Sequence, residues 1–204
     1  MAGIAAAPVA ASAYNPEVLA AAHRKVIAMA LKGMEGRGFE EMVPMKDGTK
    51  LYTYGVLPPE GVKCGIVLQR TPYVQEKPAD VAAFVRGQQK ALARGYAYIV
   101  QHVRGTGMSE GDWIPYVNER ADGLATLEWL RRLPCYNGEI YVSGISYLSS
   151  VHWSYLRVRK GSDPFGGVES GGVAYPFAIS RRPFAAILYF CQGECGLASP
   201  TRAM

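Results

Sequence analysis

The chain has 204 residues, enough for one domain with its own core or for a piece of a larger protein. A hydrophobic share of 49% against 19% charged residues marks a globular protein, and no apolar run approaches the roughly 20 residues that span a bilayer. The formal charge of +5 arises from Lys and Arg interspersed with Asp and Glu; with no basic tract carrying aromatics, nucleic acid and membrane are not expected partners.

Residues 1–14 are Ala-rich and carry no basic segment ahead of their short apolar stretch, so no signal peptide is expected and the cytoplasm is the default location. Asn15-Pro16-Glu17 starts a helix: an N-cap, a proline at the first helical position and an acid in the first turn. Its apolar positions run to Leu31, and Gly33 and Gly36 end it. Whether this helix is an added arm or a packing element is open at this point. Lys46-Asp47-Gly48 separates Met42–Met45 from Leu51–Val56, a hairpin signal. Cys64–Gln69 is a nearly continuous apolar run, as expected of a strand buried on both faces.

A helix is expected from about Pro78 to Arg94, stopped by Gly95, and a second buried strand over Tyr96–Val103. Asn118–Leu133 reads as a third helix, with Leu124, Leu127 and Leu130 on one face, closed by Pro134 and Asn137-Gly138. Glu139–Ser143 is then a strand and Tyr147–Val158 a helix. A hairpin followed by strand–helix repeats predicts an α/β fold, a mostly parallel sheet with helices on both faces. Beyond about Pro164 the pattern weakens, although Ala185–Phe190 could form one more strand. The division expected is an N-terminal extension with one helix, 1–37, and a partial α/β domain, 38–204.

Chemistry concentrates at the end of the Glu139–Ser143 strand. Gly144-Ile145-Ser146-Tyr147 lies between that strand and a helix, the setting of a nucleophile elbow. A sharp turn there lifts the Ser146 hydroxyl above the sheet, and Gly144 is needed because a side chain would collide with the turn. The Tyr147 backbone N–H, in the first helical turn, points at a place where an oxyanion would be stabilised. The short motif has glycine two residues after the serine; here that position is Leu148.

Further segments extend the pattern. Arg70-Thr71-Pro72-Tyr73 follows the first buried strand, and Gln101–Gly111, containing Arg104-Gly105 and Ser109-Glu110-Gly111, follows the second. With Asn118–Gly123, Glu128-Trp129-Leu130, Tyr136-Asn137-Gly138 and Gly144–Tyr147, the chain resembles the cocaine-esterase and X-prolyl dipeptidyl-peptidase group of α/β-hydrolases, most clearly over residues 43–158. The resemblance implies a serine hydrolase of the α/β-hydrolase fold that cleaves an ester, amide or peptide through an acyl-enzyme. It places the nucleophile on Ser146, and the oxyanion donors on the Tyr73 phenol and the Tyr147 N–H. No metal or organic cofactor is implied. His102 stands where the group commonly has Asp; near the site, it is expected to pack or support rather than act as a base.

A hydroxyl nucleophile needs a base oriented by an acid, and on this fold both follow the serine. Of His23, His102 and His152, only His152 follows Ser146, six residues on along the same helix and more than a turn out of reach. Asp163, Glu169 and Glu194 cannot be placed on a later strand. In the resembling group the acid and histidine come after a helical cap, with a β-sandwich beyond. The chain is therefore read as a truncated or frame-shifted portion of such an enzyme, the alternative being a short α/β protein with a binding or structural role. An unpaired sheet edge would then favour a partner surface, including a homo-oligomer. Cys64, Cys135, Cys191 and Cys195 contain one CxxxC without a nearby histidine, a weak zinc signal, so free thiols are expected.

Overall fold

The structure, a computed structural model, describes residues 15–74, 78–144, 146–156 and 178–180. Its first helix, α1 (Pro16–Leu31), begins as its sequence dictates: the Asn15 side chain accepts a hydrogen bond from the Glu17 N–H at 2.9 Å, and Pro16 occupies the first turn. Strands β1 (Arg37–Pro44) and β2 (Lys50–Leu57) pair antiparallel from Arg37–Leu57 to Pro44–Lys50. Gly48 takes the left-handed backbone (φ 87°) in the turn between them, and Asp47 accepts from the Thr49 N–H.

The chain then alternates through β3 (Cys64–Thr71), α2 (Pro78–Leu92), β4 (Ala97–His102), α3 (Glu119–Leu130), β5 (Tyr136–Val142) and α4 (Tyr147–Leu156), followed by β6 (Ala178–Ser180). The sheet order is β1-β2-β4-β3-β5-β6. Strands β4, β3 and β5 run parallel at its centre; β2 joins β4, and β6 joins β5, antiparallel. The β5–β6 pairing covers Glu139–Tyr141.

Each sheet face carries its own core. One packs Leu51, Ile66, Leu68, Ile99, Ile140 and Val142 against Leu127, Trp129 and Leu130 of α3 and Tyr155 of α4. The other packs Tyr54, Val56, Val67, Tyr98 and Val100 against Val26, Ile27 and Ala30 of α1 and Phe84, Val85 and Leu92 of α2. Helix α1 is therefore a packing element. It approaches so closely that a Cβ on Gly38 of β1 would sit 2.2 Å from the Ile27 side chain. In α3 the expected leucine face needs correction: Leu127 and Leu130 are buried, but Leu124 is 37% exposed. Spacings of three and six residues turn a helix by 300° and 600°, so the three leucines fan round the helix instead of aligning. Ala125, Thr126 and Trp129 complete the buried side. The Ala185–Phe190 strand lies outside the described residues.

Because β3, β4 and β5 are parallel, the segments leaving their carboxyl ends emerge along one edge of the sheet. Tyr73, the 103–118 loop and Ser146 are brought there from positions far apart in sequence. That edge is where open α/β sheets place their ligands.

All three histidines of the chain are buried. Burial pushes His23 down to about 4 and His102 to about 3, the latter also opposed by His23; burial, with Arg70 nearby, pushes His152 to about 3. Each stays neutral in the fold and gains a proton on unfolding below about 6.5. Their contribution is fully present above that value and is lost as pH falls, each with a limiting slope of about 1.4 kcal/mol per pH unit. Denaturant titrations should therefore show a loss of several kcal/mol between pH 7 and pH 5. Equal stability at pH 7 and 5 would contradict the three buried neutral imidazoles.

Candidate active site

Ser146 sits between β5 and α4, exposed, with a backbone φ of 54°. A side chain with a Cβ rarely adopts that left-handed conformation, which costs on the order of 1–3 kcal/mol and persists only where the surroundings impose it. The surroundings are visible. A Cβ on Gly144 would lie 2.6 Å from Leu148 Cβ and 2.7 Å from the Leu148 carbonyl carbon, so the strand end and the first helical turn touch across the bend. Leu148, which departs from the short motif, is buried in the space that Gly144 leaves free. The N–H groups of Ser149 and Ser150 return to the Ser146 carbonyl at 3.1 and 3.2 Å. The Tyr147 N–H, in the first turn, has no intrahelical acceptor to reach.

The preceding strand end is tied to the helix by His152. Its Nε2 lies 3.1 Å from the Ser143 carbonyl and its Nδ1 contacts the Tyr155 hydroxyl. A neutral ring satisfies both by donating Nε2–H to the carbonyl and accepting the phenol proton at Nδ1. His152 is thus a packing residue of α4, as its distance along the helix implied. Below it, Arg70 is wholly buried. It pairs with Glu119 at 3.0 Å, donates to Gln101 at 2.8 Å and lies over the Tyr155 ring. Burial raises the Glu119 carboxyl above its ordinary value, with Arg70 pulling the other way.

Tyr73 follows β3 and is 53% exposed; its N–H donates to Thr71 Oγ1 at 3.0 Å. Its ring stands edge-on to the Tyr147 ring with centroids 6.5 Å apart. The three residues singled out from sequence, Ser146, Tyr73 and Tyr147, therefore meet at one edge. His102 does not join them: it is buried on the α1–α2 face, its ring 5.0 Å from His23 and 5.8 Å from Tyr54. Among the described residues no histidine hydrogen-bonds Ser146, and Asp163, Glu169 and Glu194 lie outside those residues.

Two aromatics of this edge went unforeseen. Trp113 and Tyr116, from the loop after β4, place their rings 5.9 and 5.0 Å from Tyr147. Tyr116 has a left-handed backbone (φ 66°) and is 55% exposed. The residues ahead of them explain the loop's shape. Arg104 clamps Asp122 with two hydrogen bonds of 2.7 and 3.0 Å and reaches Asp47 at 2.8 Å; Ser109 donates to the His102 carbonyl and accepts from Tyr52 N–H. The Arg104 and Ser109 segments thus hold the loop, and nothing in their spacing announces the aromatics that follow.

Comparison with known proteins decides the family. A family model described as X-Pro dipeptidyl-peptidase (S15 family) matches residues 47–160. The chain belongs to that family. It is 33% identical over 115 residues to the cocaine esterase of Rhodococcus sp. (strain MB1 Bresler), covering 55% of this chain and 20% of the relative. Among solved structures, a selenomethionine-labelled α-amino acid ester hydrolase matches with a TM-score of 0.52 at 29% identity, over 60% of this chain and 23% of that one. An aminopeptidase from a marine-sediment Thaumarchaeota archaeon matches with a TM-score of 0.52 at 27% identity, over the same shares. The chain spans about a fifth to a quarter of the length of these relatives, and the fold they share with it is that of α/β-hydrolases. No helix among the described residues is long and apolar enough to cross a membrane, and none of their His, Cys, Asp and Glu side chains form a group of three or more suited to a metal. The Cys191–Cys195 spacing lies outside those residues.

The Gly144–Leu148 contact is directly testable. Gly144→Ala should destabilise the chain by about 1–3 kcal/mol, since backbone as well as side chain would have to shift. Thermal or denaturant unfolding measures it, and an unchanged midpoint would show the bend to be looser than described.

Proposed function

We propose that this chain carries the nucleophile and oxyanion half of a serine hydrolase that cleaves esters or amides through an acyl-enzyme on Ser146. The observation that carries the reading is the left-handed backbone of an exposed serine at a strand-to-helix bend. A protein rarely tolerates that strain in a residue with no task. Membership of the S15 family, and relatives named as esterases and an aminopeptidase, support it.

In this reading the Ser146 oxygen attacks the substrate carbonyl carbon. The carbonyl oxygen gains charge, which the Tyr147 N–H and the Tyr73 phenol O–H stabilise as hydrogen-bond donors. The tetrahedral intermediate then collapses, expelling the alcohol or amine and leaving the acyl group on Ser146, from which water later removes it. Rings of Tyr73, Trp113, Tyr116 and Tyr147 give the reacting carbonyl an apolar surround that keeps water from competing for the donors. The substrate is a small ester, amide or peptide.

The Ser146 proton needs a base. His152 does not qualify, because both of its ring nitrogens are engaged with Ser143 and Tyr155. His102 and His23 are buried on the other face of the sheet among Tyr52 and Tyr54. The reading therefore assigns the base and its orienting acid to residues other than those described.

A fluorophosphonate probe tests the assignment. In a protein that supplies the acid and histidine beside these residues, Ser146 should be labelled, and Ser146→Ala should abolish labelling. The 204-residue chain should label weakly or not at all. Tyr73→Phe should lower kcat by about 100- to 1000-fold with KM little changed, the signature of a donor that acts in the transition state. Labelling of the short chain that disappears in His102→Ala would overturn the reading of the base.

A further inference from the structure

At the end of the sheet opposite Ser146, two thiols meet. Cys64 opens β3 and Cys135 closes the turn ahead of β5; the Cys64 N–H donates to the Cys135 carbonyl at 2.7 Å, and Cys64 is in register with Tyr136. Both are free and lie in the same core, 2% and 4% exposed. Solvent is one residue away from each cysteine, since Lys63 and Pro134 are exposed and the Lys63 ammonium donates to the Pro134 carbonyl at 2.6 Å.

We propose that Cys64 and Cys135 form a reactive dithiol site that takes small disulfides as its reagent and closes into an intramolecular disulfide. The backbone hydrogen bond between the two cysteines holds their main chains side by side, and both side chains enter the same core, the setting a disulfide bridge requires. The two thiols influence each other unequally. The neighbouring Cys64, with Arg37 and Lys63, holds the Cys135 thiol below its ordinary value, while Cys135 and burial push Cys64 up. Cys135 is accordingly the attacking thiolate and Cys64 the resolving group.

The exchange balances in two steps. The Cys135 thiolate attacks one sulfur of the small disulfide, forming a mixed disulfide and expelling one thiolate. Cys64 then loses its proton to solvent and attacks the Cys135 sulfur, forming the Cys64–Cys135 bond and expelling the second thiolate. The two cysteines are oxidised by two electrons, and the reagent is reduced to two thiols. The bridge would fasten the starts of β3 and β5, whose other ends lead to Tyr73 and Ser146.

Peptide mapping tests this on the native chain. The reduced protein is incubated with oxidised glutathione, trapped with iodoacetamide and digested with trypsin without reduction. The expected product joins the peptide of residues 64–70 to that of residues 133–157, two hydrogens lighter than the free pair. In Cys64→Ser, Cys135 should remain glutathionylated, a species the wild type does not accumulate. Should Cys64→Ser fail to fold, the wild-type map still decides. Recovery of both wild-type peptides separately, alkylated or glutathionylated, or joining of Cys135 to Cys191 or Cys195 in preference to Cys64, would overturn the proposal.

Discussion

The left-handed backbone of Ser146 is the constraint on which the rest of the site depends. Left alone, a serine escapes that conformation into the helix that follows or the strand that precedes it, recovering on the order of 1–3 kcal/mol. Here both exits are blocked. The strand end is held to α4 by the His152–Ser143 hydrogen bond, and the helix start presses Leu148 onto Gly144. Val151 of the same helix is wholly buried. One hydrogen bond contributes about 1 kcal/mol net and one buried aliphatic side chain about 2. The packing of α4 is therefore large enough to hold the bend. The strain lives in local structure; what sustains it is tertiary packing.

A second constraint sets the neighbours of that bend. Arg70 follows the apolar run of β3, where a buried guanidinium is tolerated only with partners. Glu119 and Gln101 supply them, joining β3 to α3 and β4 beneath the site. Gln101 in turn donates to Thr53 and accepts from Thr126, so one polar chain links β2, β4, β3 and α3 inside an apolar core. Removing any one partner strands the others without water, which makes the network a strong determinant of register. Register matters because a one-residue slip of β3 would reverse the faces of its side chains and move Tyr73 away from Tyr147.

Much of this was legible in the sequence. Asn15-Pro16 specified the start of α1 by local chemistry, Asp47-Gly48 specified the hairpin, and the apolar runs at Cys64 and Tyr96 specified strands with two buried faces. Gly144 was understood as a steric requirement, and the distance to Leu148 shows which atoms impose it. Less legible was whatever depends on three-dimensional approach. Leu124 fits a leucine pattern, yet the sheet lies on another side of α3. The role of α1 depended on contacts with β1 and β2 that no spacing reveals. Trp113 and Tyr116 reach the site because a loop held by Arg104 and Ser109 carries them there, and a left-handed backbone at a tyrosine has no signature in composition. His102 looked close to the site by its place on β4 but points to the opposite face, a question of strand parity that one residue decides.

The central claim is that the bend at Ser146 presents its oxygen and the Tyr147 N–H to a common point, with the Tyr73 phenol completing the group. A crystal structure of a protein that supplies the acid and histidine beside these residues, after reaction with a p-nitrophenyl phosphonate, addresses it directly, because the phosphoryl oxygen stands in for the oxyanion. The account predicts a bond from phosphorus to Ser146 Oγ, with that oxygen about 2.7–3.1 Å from both Tyr147 N and the Tyr73 hydroxyl. A phosphonate on a different residue, or an oxygen facing solvent with residue 146 in helical geometry, would contradict it.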